Sequence, residues 1–166
     1  MVLGMSLPAF TAVHVLLSLV GIVAGSIAMW GLLRGSLLRG WTWLFLLMAL
    51  ATSITGFMFP VTGIKPSHVF GVVTLVLIVL AIHALAGKRL EGRWRAIYVA
   101  SAMLTLYLNA VVLIVQMFEK VAPLAELEPR HGQWPLLAAQ GAALALFAAA
   151  TLLAARRFKP SPMHLA

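Results

Sequence analysis

Five long apolar stretches fill almost the whole of this 166-residue chain. Each meets the length of roughly 20 residues that a helix needs to cross a hydrocarbon core about 30 Å thick, at about 1.5 Å of rise per residue. We therefore predict an all-α fold, an integral membrane bundle of five transmembrane helices that forms one domain over residues 1–166. The predicted spans are approximately 10–33, 41–59, 68–87, 96–118 and 134–155.

The composition agrees with this class of protein. Hydrophobic residues make up 63% of the chain and charged residues 10%, whereas a soluble domain is about half apolar and about a quarter charged. The longest segment outside the spans, residues 119–133, is too short for a soluble domain, and Pro123 and Pro129 predict that it is not helical. Cysteine is absent, which excludes disulfides, thiolate metal sites, iron–sulfur clusters and cysteine nucleophiles.

The positive charges predict the orientation of the bundle. Nine Lys and Arg residues fall on one side of the membrane, and Lys65, Lys120 and Arg130 fall on the other. Because cytoplasmic loops carry an excess of Lys and Arg, we predict an external N-terminus and a cytoplasmic C-terminus. The net charge of +8 then reflects topology, and nucleic acid is not an expected partner. The nine residues are Arg34, Arg39, Lys88, Arg89, Arg93, Arg95, Arg156, Arg157 and Lys159.

A stripe of polar side chains follows one face of the fourth span. Steps of three, four, four and seven residues keep its members on one side of a helix that turns about 100° per residue. Lipid cannot satisfy such groups, so they face the interior of the bundle or a wet cavity. We therefore predict that the fourth helix is central. The stripe consists of Tyr98, Ser101, Thr105, Asn109 and Gln116.

A Gly-xxx-Gly pair on the first span predicts close helix packing. Gly21 and Gly25 lie on the same face as His14, and small residues let helix backbones approach closely. We predict that His14 points into the bundle. The glycine face has two candidate uses, packing within the bundle and formation of a homo-oligomer.

Polar groups from several spans converge in the outer half of the predicted bundle, and we call this set the polar seam. In one interpretation its amides form interhelical hydrogen bonds worth about 0.6–2 kcal/mol each. In the other, they line a pocket for a small ligand such as a quinone head group or a lipid, and the amides bind its carbonyl or hydroxyl. The candidate ligand-binding residues are Asn109, Gln116, Gln140, Thr105 and Thr55.

A histidine pair suggests an alternative, a bundle that carries one b-type haem. Bis-histidine ligation needs two neutral imidazoles from two helices at one depth. His14 and His68 are the pair that the sequence places at the same depth, whereas His83 falls near the cytoplasmic end. In the competing interpretation both His14 and His68 are structural.

The sequence carries no motif of a hydrolase or a nucleotide-binding enzyme, such as Gly-x-Ser-x-Gly, His-Glu-x-x-His or a Walker loop. It has no Asp and no Glu within a span, so a carboxylate relay for protons is missing. We therefore predict a non-enzymatic protein without a cofactor: a small subunit, an accessory factor or a ligand-binding bundle. Its predicted partners are membrane lipids and, in an assembly, other membrane-protein subunits or a second copy. A membrane redox module with haem b or a quinone is the alternative.

Two segments resemble a family of small uncharacterised bacterial membrane proteins. One is residues 92–123, which begins Gly-Arg-Trp-Arg-Ala-Ile-Tyr-Val and includes Leu-Tyr-Leu-Asn-Ala-Val-Val-Leu-Ile-Val-Gln-Met-Phe-Glu-Lys. The other is Thr52 to Pro60, Thr-Ser-Ile-Thr-Gly-Phe-Met-Phe-Pro. The resemblance implies a multi-pass protein of the bacterial inner membrane with this topology. It implies no activity.

Overall fold

The computed structural model describes residues 2–60 and 66–159, and within them the chain is helical with no strand. Lys65, one of the three charges predicted to lie outside, falls beyond the described residues. Five of the described helices are long and apolar enough to cross a membrane, which confirms the predicted number of such helices. These helices are α1 (Leu7–Leu33), α2 (Arg39–Phe57), α3 (Pro66–Ile82), α4 (Arg93–Lys120) and α7 (Trp134–Arg157).

The connection between α4 and α7 is helical, so the prediction of a non-helical loop was wrong. It contains α5 (Ala122–Ala125) and α6 (Leu127–His131). Pro123 and Pro129 both lie in the first turn of their helices. A proline there is tolerated, because the N–H that it lacks has no partner within the helix.

The end of α3 widens into a π-helical turn, His83–Gly87. In the loop that follows, Arg89 and Leu90 have φ of +46° and +58°. Residues other than glycine rarely adopt this left-handed backbone conformation. Leu90 is buried, and its N–H donates to the Ala84 carbonyl at 3.0 Å. Burial and this hydrogen bond hold the strained turn in place.

Helix α4 is the central helix, as the polar stripe predicts. It packs against α1, α2, α3 and α7. The members of the stripe nearest its N-terminus, Tyr98, Ser101 and Thr105, are buried. Asn109 and Gln116, further along the helix, are only partly buried.

The glycine face of α1 packs inside the bundle. A Cβ atom on Gly25 would lie 2.7 Å from Phe45 Cδ2 of α2 and 2.7 Å from Leu106 Cδ1 of α4. A Cβ atom on Gly21 would lie 3.2 Å from Met48 Cβ of α2. Within one chain, α2 and α4 therefore cover this face.

Contacts between helix termini bring the charges predicted to be cytoplasmic to one end of the bundle, which we call the basic end. Arg95 Nη1 donates to the Phe158 carbonyl at 2.8 Å, and Arg157 Nη1 donates to the Leu33 carbonyl at 3.5 Å. Phe158 is fully buried and its ring centroid lies 6.3 Å from that of Tyr98. These contacts join the start of α4 to the ends of α1 and α7.

Candidate functional site

A cavity of about 130 Å³ lies among α1, α2, α3 and α4, in the half of the bundle away from the basic end. Both imidazoles of the predicted haem pair, four hydroxyl groups and one amide contribute to its wall. Within the described part of the chain, no Lys, Arg, Asp or Glu lines it. The polar lining residues are His14, Ser18, Thr52, Ser53, His68, Thr74 and Asn109.

The cavity begins at the helix ends where α2 stops and α3 starts, with Phe57 the last residue of α2 and His68 the third residue of α3, and it extends inward along the helices. Thr52 is five residues before the end of α2, and Asn109 is eleven residues before the end of α4. At about 1.5 Å per residue these positions are roughly 8 and 17 Å from the helix ends. If the helices span a bilayer, both positions lie where lipid offers no hydrogen-bond partner.

A hydrogen bond between α1 and α2 orients His14 beside the cavity. His14 Nδ1 and Thr55 Oγ1 are 2.8 Å apart. The Thr55 hydroxyl donates its one proton to the Ala51 carbonyl at 2.8 Å, a common bond for threonine in a helix. With the Thr55 proton on the Ala51 carbonyl, the Thr55 oxygen accepts from His14 Nδ1–H, and Nε2 is then a hydrogen-bond acceptor. The Phe59 ring packs edge-on against the imidazole, with centroids 5.2 Å apart.

Two buried hydroxyl oxygens, Thr52 Oγ1 and Thr105 Oγ1, have no hydrogen-bond partner within residues 2–60 and 66–159. An unpaired buried group of this kind costs about 1–3 kcal/mol. Thr52 is one of the residues that line the cavity, so a polar group bound there would satisfy it. Thr105 is fully buried one turn along α4 from Asn109 and does not line the cavity.

The structure brings together only part of the predicted ligand-binding set. Asn109 lines the cavity, but its Nδ2 donates to the Thr105 carbonyl of its own helix at 3.1 Å and not to a neighbouring helix. Thr55 adjoins the cavity through His14. Gln116 and Gln140 are partly buried but line neither this cavity nor a second one of about 220 Å³ between the end of α4 and the start of α7.

The two histidines predicted as haem ligands line the same cavity. The His68 ring stacks on Phe57, with centroids 5.8 Å apart and an interplanar angle of 30°. The volume of about 130 Å³ is below the roughly 300 Å³ at which pockets for drug-sized ligands begin. A whole porphyrin is larger than this volume. His83 lies elsewhere, in the π-helical turn beside Trp94 at the basic end.

Several lining residues were not among the predicted site residues. Thr52 and Ser53 continue the buried face of α2 that begins at Thr42, so the helical spacing of that face was an available signal. Thr74 is the one polar residue in the apolar run 69–82 of α3. Gly71 gave no signal, because only the packed structure shows that a Cβ atom there would lie 2.8 Å from Phe57 Cζ.

Comparisons of the chain with protein-family models, with curated proteins and with solved structures found no match. The resemblance to small bacterial membrane proteins therefore stays a prediction. The function has to be argued from the cavity itself.

Proposed function

We propose that this protein is a non-enzymatic, multi-pass protein of the bacterial inner membrane that binds a small uncharged ligand in the cavity among α1, α2, α3 and α4. The observation that carries the proposal is the buried Thr52 hydroxyl, which lines the cavity and lacks a partner in the described chain. Within hydrocarbon no solvent compensates such a group. A ligand with a carbonyl or hydroxyl oxygen supplies the missing hydrogen bond.

The chemistry of the lining favours an uncharged ligand. The described lining residues include no Lys, Arg, Asp or Glu, so a charged ligand would lose its hydration without gaining a counter-charge. The neutral groups offer complementary roles: the Thr52 hydroxyl donates or accepts, His14 Nε2 accepts, and the Asn109 side-chain oxygen accepts. The hydroxyl or carbonyl groups of a quinone, a quinol or a neutral lipid head group match this set.

The proposed orientation puts the cavity in the outer half of the membrane, where the polar seam was predicted. The support is the distribution of charge. Nine Lys and Arg residues belong to the basic end, whereas Lys120 and Arg130 belong to the other end in the described chain. By the positive-inside rule the basic end is cytoplasmic, and the cavity then opens in the half of the bundle nearer the exterior.

Mass spectrometry of molecules that copurify with the protein tests the ligand directly. We expect one uncharged compound to be enriched over the surrounding detergent and lipid, and we expect Thr52→Val to lose it. Thr151→Val is the matched control, because the Thr151 hydroxyl bonds the Phe147 carbonyl of α7 and does not line the cavity. If the two variants retain the same compounds in the same amounts, the proposal is wrong.

The redox alternative has one observation in its favour, the presence of His14 and His68 on the wall of one cavity. A dithionite-reduced minus oxidised spectrum of protein purified from haem-replete cells separates the two functions. We expect no Soret or α-band pair. A pair of bands that disappears in both His14→Ala and His68→Ala would replace the proposed function with that of a b-type cytochrome.

A further inference from the structure

We infer that the ligand of this cavity is a lipid-soluble molecule with an uncharged head group and an apolar tail, and that it enters from the side of the bundle. This inference rests on the proposed function and specifies the class of ligand. It follows from three features of the cavity: its rim, its depth and its size.

The rim of the cavity is apolar and reaches the outer surface of the bundle. Phe57 of α2, Phe70 of α3 and Val112 of α4 all line the cavity. Each is also exposed on the bundle surface, at 39%, 37% and 42% respectively. A molecule that passes this rim therefore meets aromatic and aliphatic groups before it meets the polar lining.

The rim runs from Phe57, the last residue of α2, to the depth of hydrocarbon at Val112 of α4. Val112 is eight residues before the end of α4, roughly 12 Å at about 1.5 Å per residue. The surface of α3 beside the rim carries the exposed apolar residues Val69, Val72 and Val73, as expected of a face turned towards lipid. A molecule that approaches the Val112 side of the rim sideways therefore comes from the bilayer and not from water.

The Phe57 ring closes the wall between α2 and α3. Its Cζ lies 2.8 Å from where a Cβ atom on Gly71 would be, and the ring stacks on His68. Only glycine at position 71 leaves room for the ring in this position. The outer side of Phe57 is uncovered, so a change of rotamer opens the wall without moving a helix.

The cavity is large enough for a head group but too small for a head group together with its tail. A volume of about 130 Å³ holds a head group but is well below the roughly 300 Å³ of pockets that enclose a whole drug-sized ligand. The tail must then remain outside, and the apolar rim lets it lie in hydrocarbon. A prenyl-type quinone and a diacylglycerol share this chemistry of neutral oxygens on an apolar tail.

The test is binding to the whole protein in lipid nanodiscs, read as the shift of the thermal unfolding midpoint. The compounds are decylubiquinone and its head group alone, dimethoxy-methyl-benzoquinone, together with dioctanoylglycerol and glycerol. Dioctanoyl phosphatidylglycerol is the charged control. We expect a tailed uncharged compound to bind at least about tenfold more tightly than its head group alone at equal free concentration in water, because its tail lies in hydrocarbon in the bound state. That factor corresponds to about 1.4 kcal/mol.

Variants at the wall test the route of entry. Gly71→Val fills part of the cavity and displaces Phe57, so binding of the tailed compound should fall at least about tenfold, again about 1.4 kcal/mol. Gly141→Val is the matched control, because a Cβ atom there meets nothing, and it should leave binding unchanged. Phe57→Ala removes the ring that closes the wall and should speed association of the tailed compound. Because it adds no atom to the packed bundle, it also tests the route of entry if Gly71→Val does not fold.

Each outcome bears on one of the two proposals. Binding of decylubiquinone alone supports the inference with a quinone head group, and binding of dioctanoylglycerol alone supports it with a glyceride. If a head group binds as tightly as its tailed partner, or if neither Gly71→Val nor Phe57→Ala changes binding or its rate, side entry is overturned while the proposed function stands. If no uncharged compound shifts the unfolding midpoint, both are overturned.

Discussion

Gly25→Val is expected to destabilise the bundle by about 1–3 kcal/mol, the usual cost of added volume in a packed core. The new Cβ atom would lie 2.7 Å from both Phe45 Cδ2 and Leu106 Cδ1. Both neighbours are themselves buried, so neither moves aside without displacing further side chains. Since Gly25 is the point where α1 meets α2 and α4 together, the strain falls on three helices at once.

Gly141→Val is the matched control for this prediction. Both glycines lie inside helices, so the change in helix propensity from glycine to valine is the same. A Cβ atom on Gly141 meets nothing within 4 Å, and a surface change of this kind usually stays within about 0.5 kcal/mol. The measurement is the thermal unfolding midpoint of both variants in one mild detergent. Equal midpoints would mean that α1 does not pack on α2 and α4 in the way described.

The five long apolar helices and the central place of α4 were predictable because both depend on local sequence. The length of an apolar run sets whether a helix can span, and the predicted and observed helix ends differ by zero to three residues when the π-helical turn His83–Gly87 is counted with α3. The spacing of Tyr98, Ser101 and Thr105 identifies the face of α4 that is buried. A single helix therefore reveals which of its sides faces inward.

The polar seam was harder to predict because helical spacing does not say which other helix lies opposite a face. Gln140 shares the half of the bundle that holds the cavity, but α7 packs on α1 and α4 and makes no contact with α2 or α3 in the described chain. Gln140 therefore cannot reach a wall that α2 and α3 build. Asn109 does reach the cavity, yet one of its two amide protons goes to the Thr105 carbonyl of its own helix. Helical spacing does not show this choice of rotamer.

The error in the segment before α7 has a different physical origin. The prediction for residues 119–133 treats Pro123 and Pro129 as helix breakers. Both fall in the first turn of a short helix, the one place where a proline costs no hydrogen bond. The position of a proline within an element decides its effect.

Thr52→Cys is expected to react rapidly with a small thiol reagent such as methyl methanethiosulfonate. The chain contains no cysteine, so a single introduced thiol reports on its own position. Thr52 lines the cavity, and cysteine replaces its hydroxyl with a thiol of similar size. If the cavity is open to small molecules, the reagent reaches this thiol while the helices stay folded.

Ala49→Cys is the control for this measurement. Ala49 lies one turn away on the same buried face of α2, is 2% exposed and does not line the cavity. A thiol there becomes accessible only when the bundle opens locally, so it should react far more slowly.

The most direct test of an open polar cavity inside this bundle is therefore the ratio of the two modification rates for the folded protein in lipid. The structure predicts fast modification of Thr52→Cys and almost none of Ala49→Cys. Equal rates, whether both fast or both negligible, would contradict it.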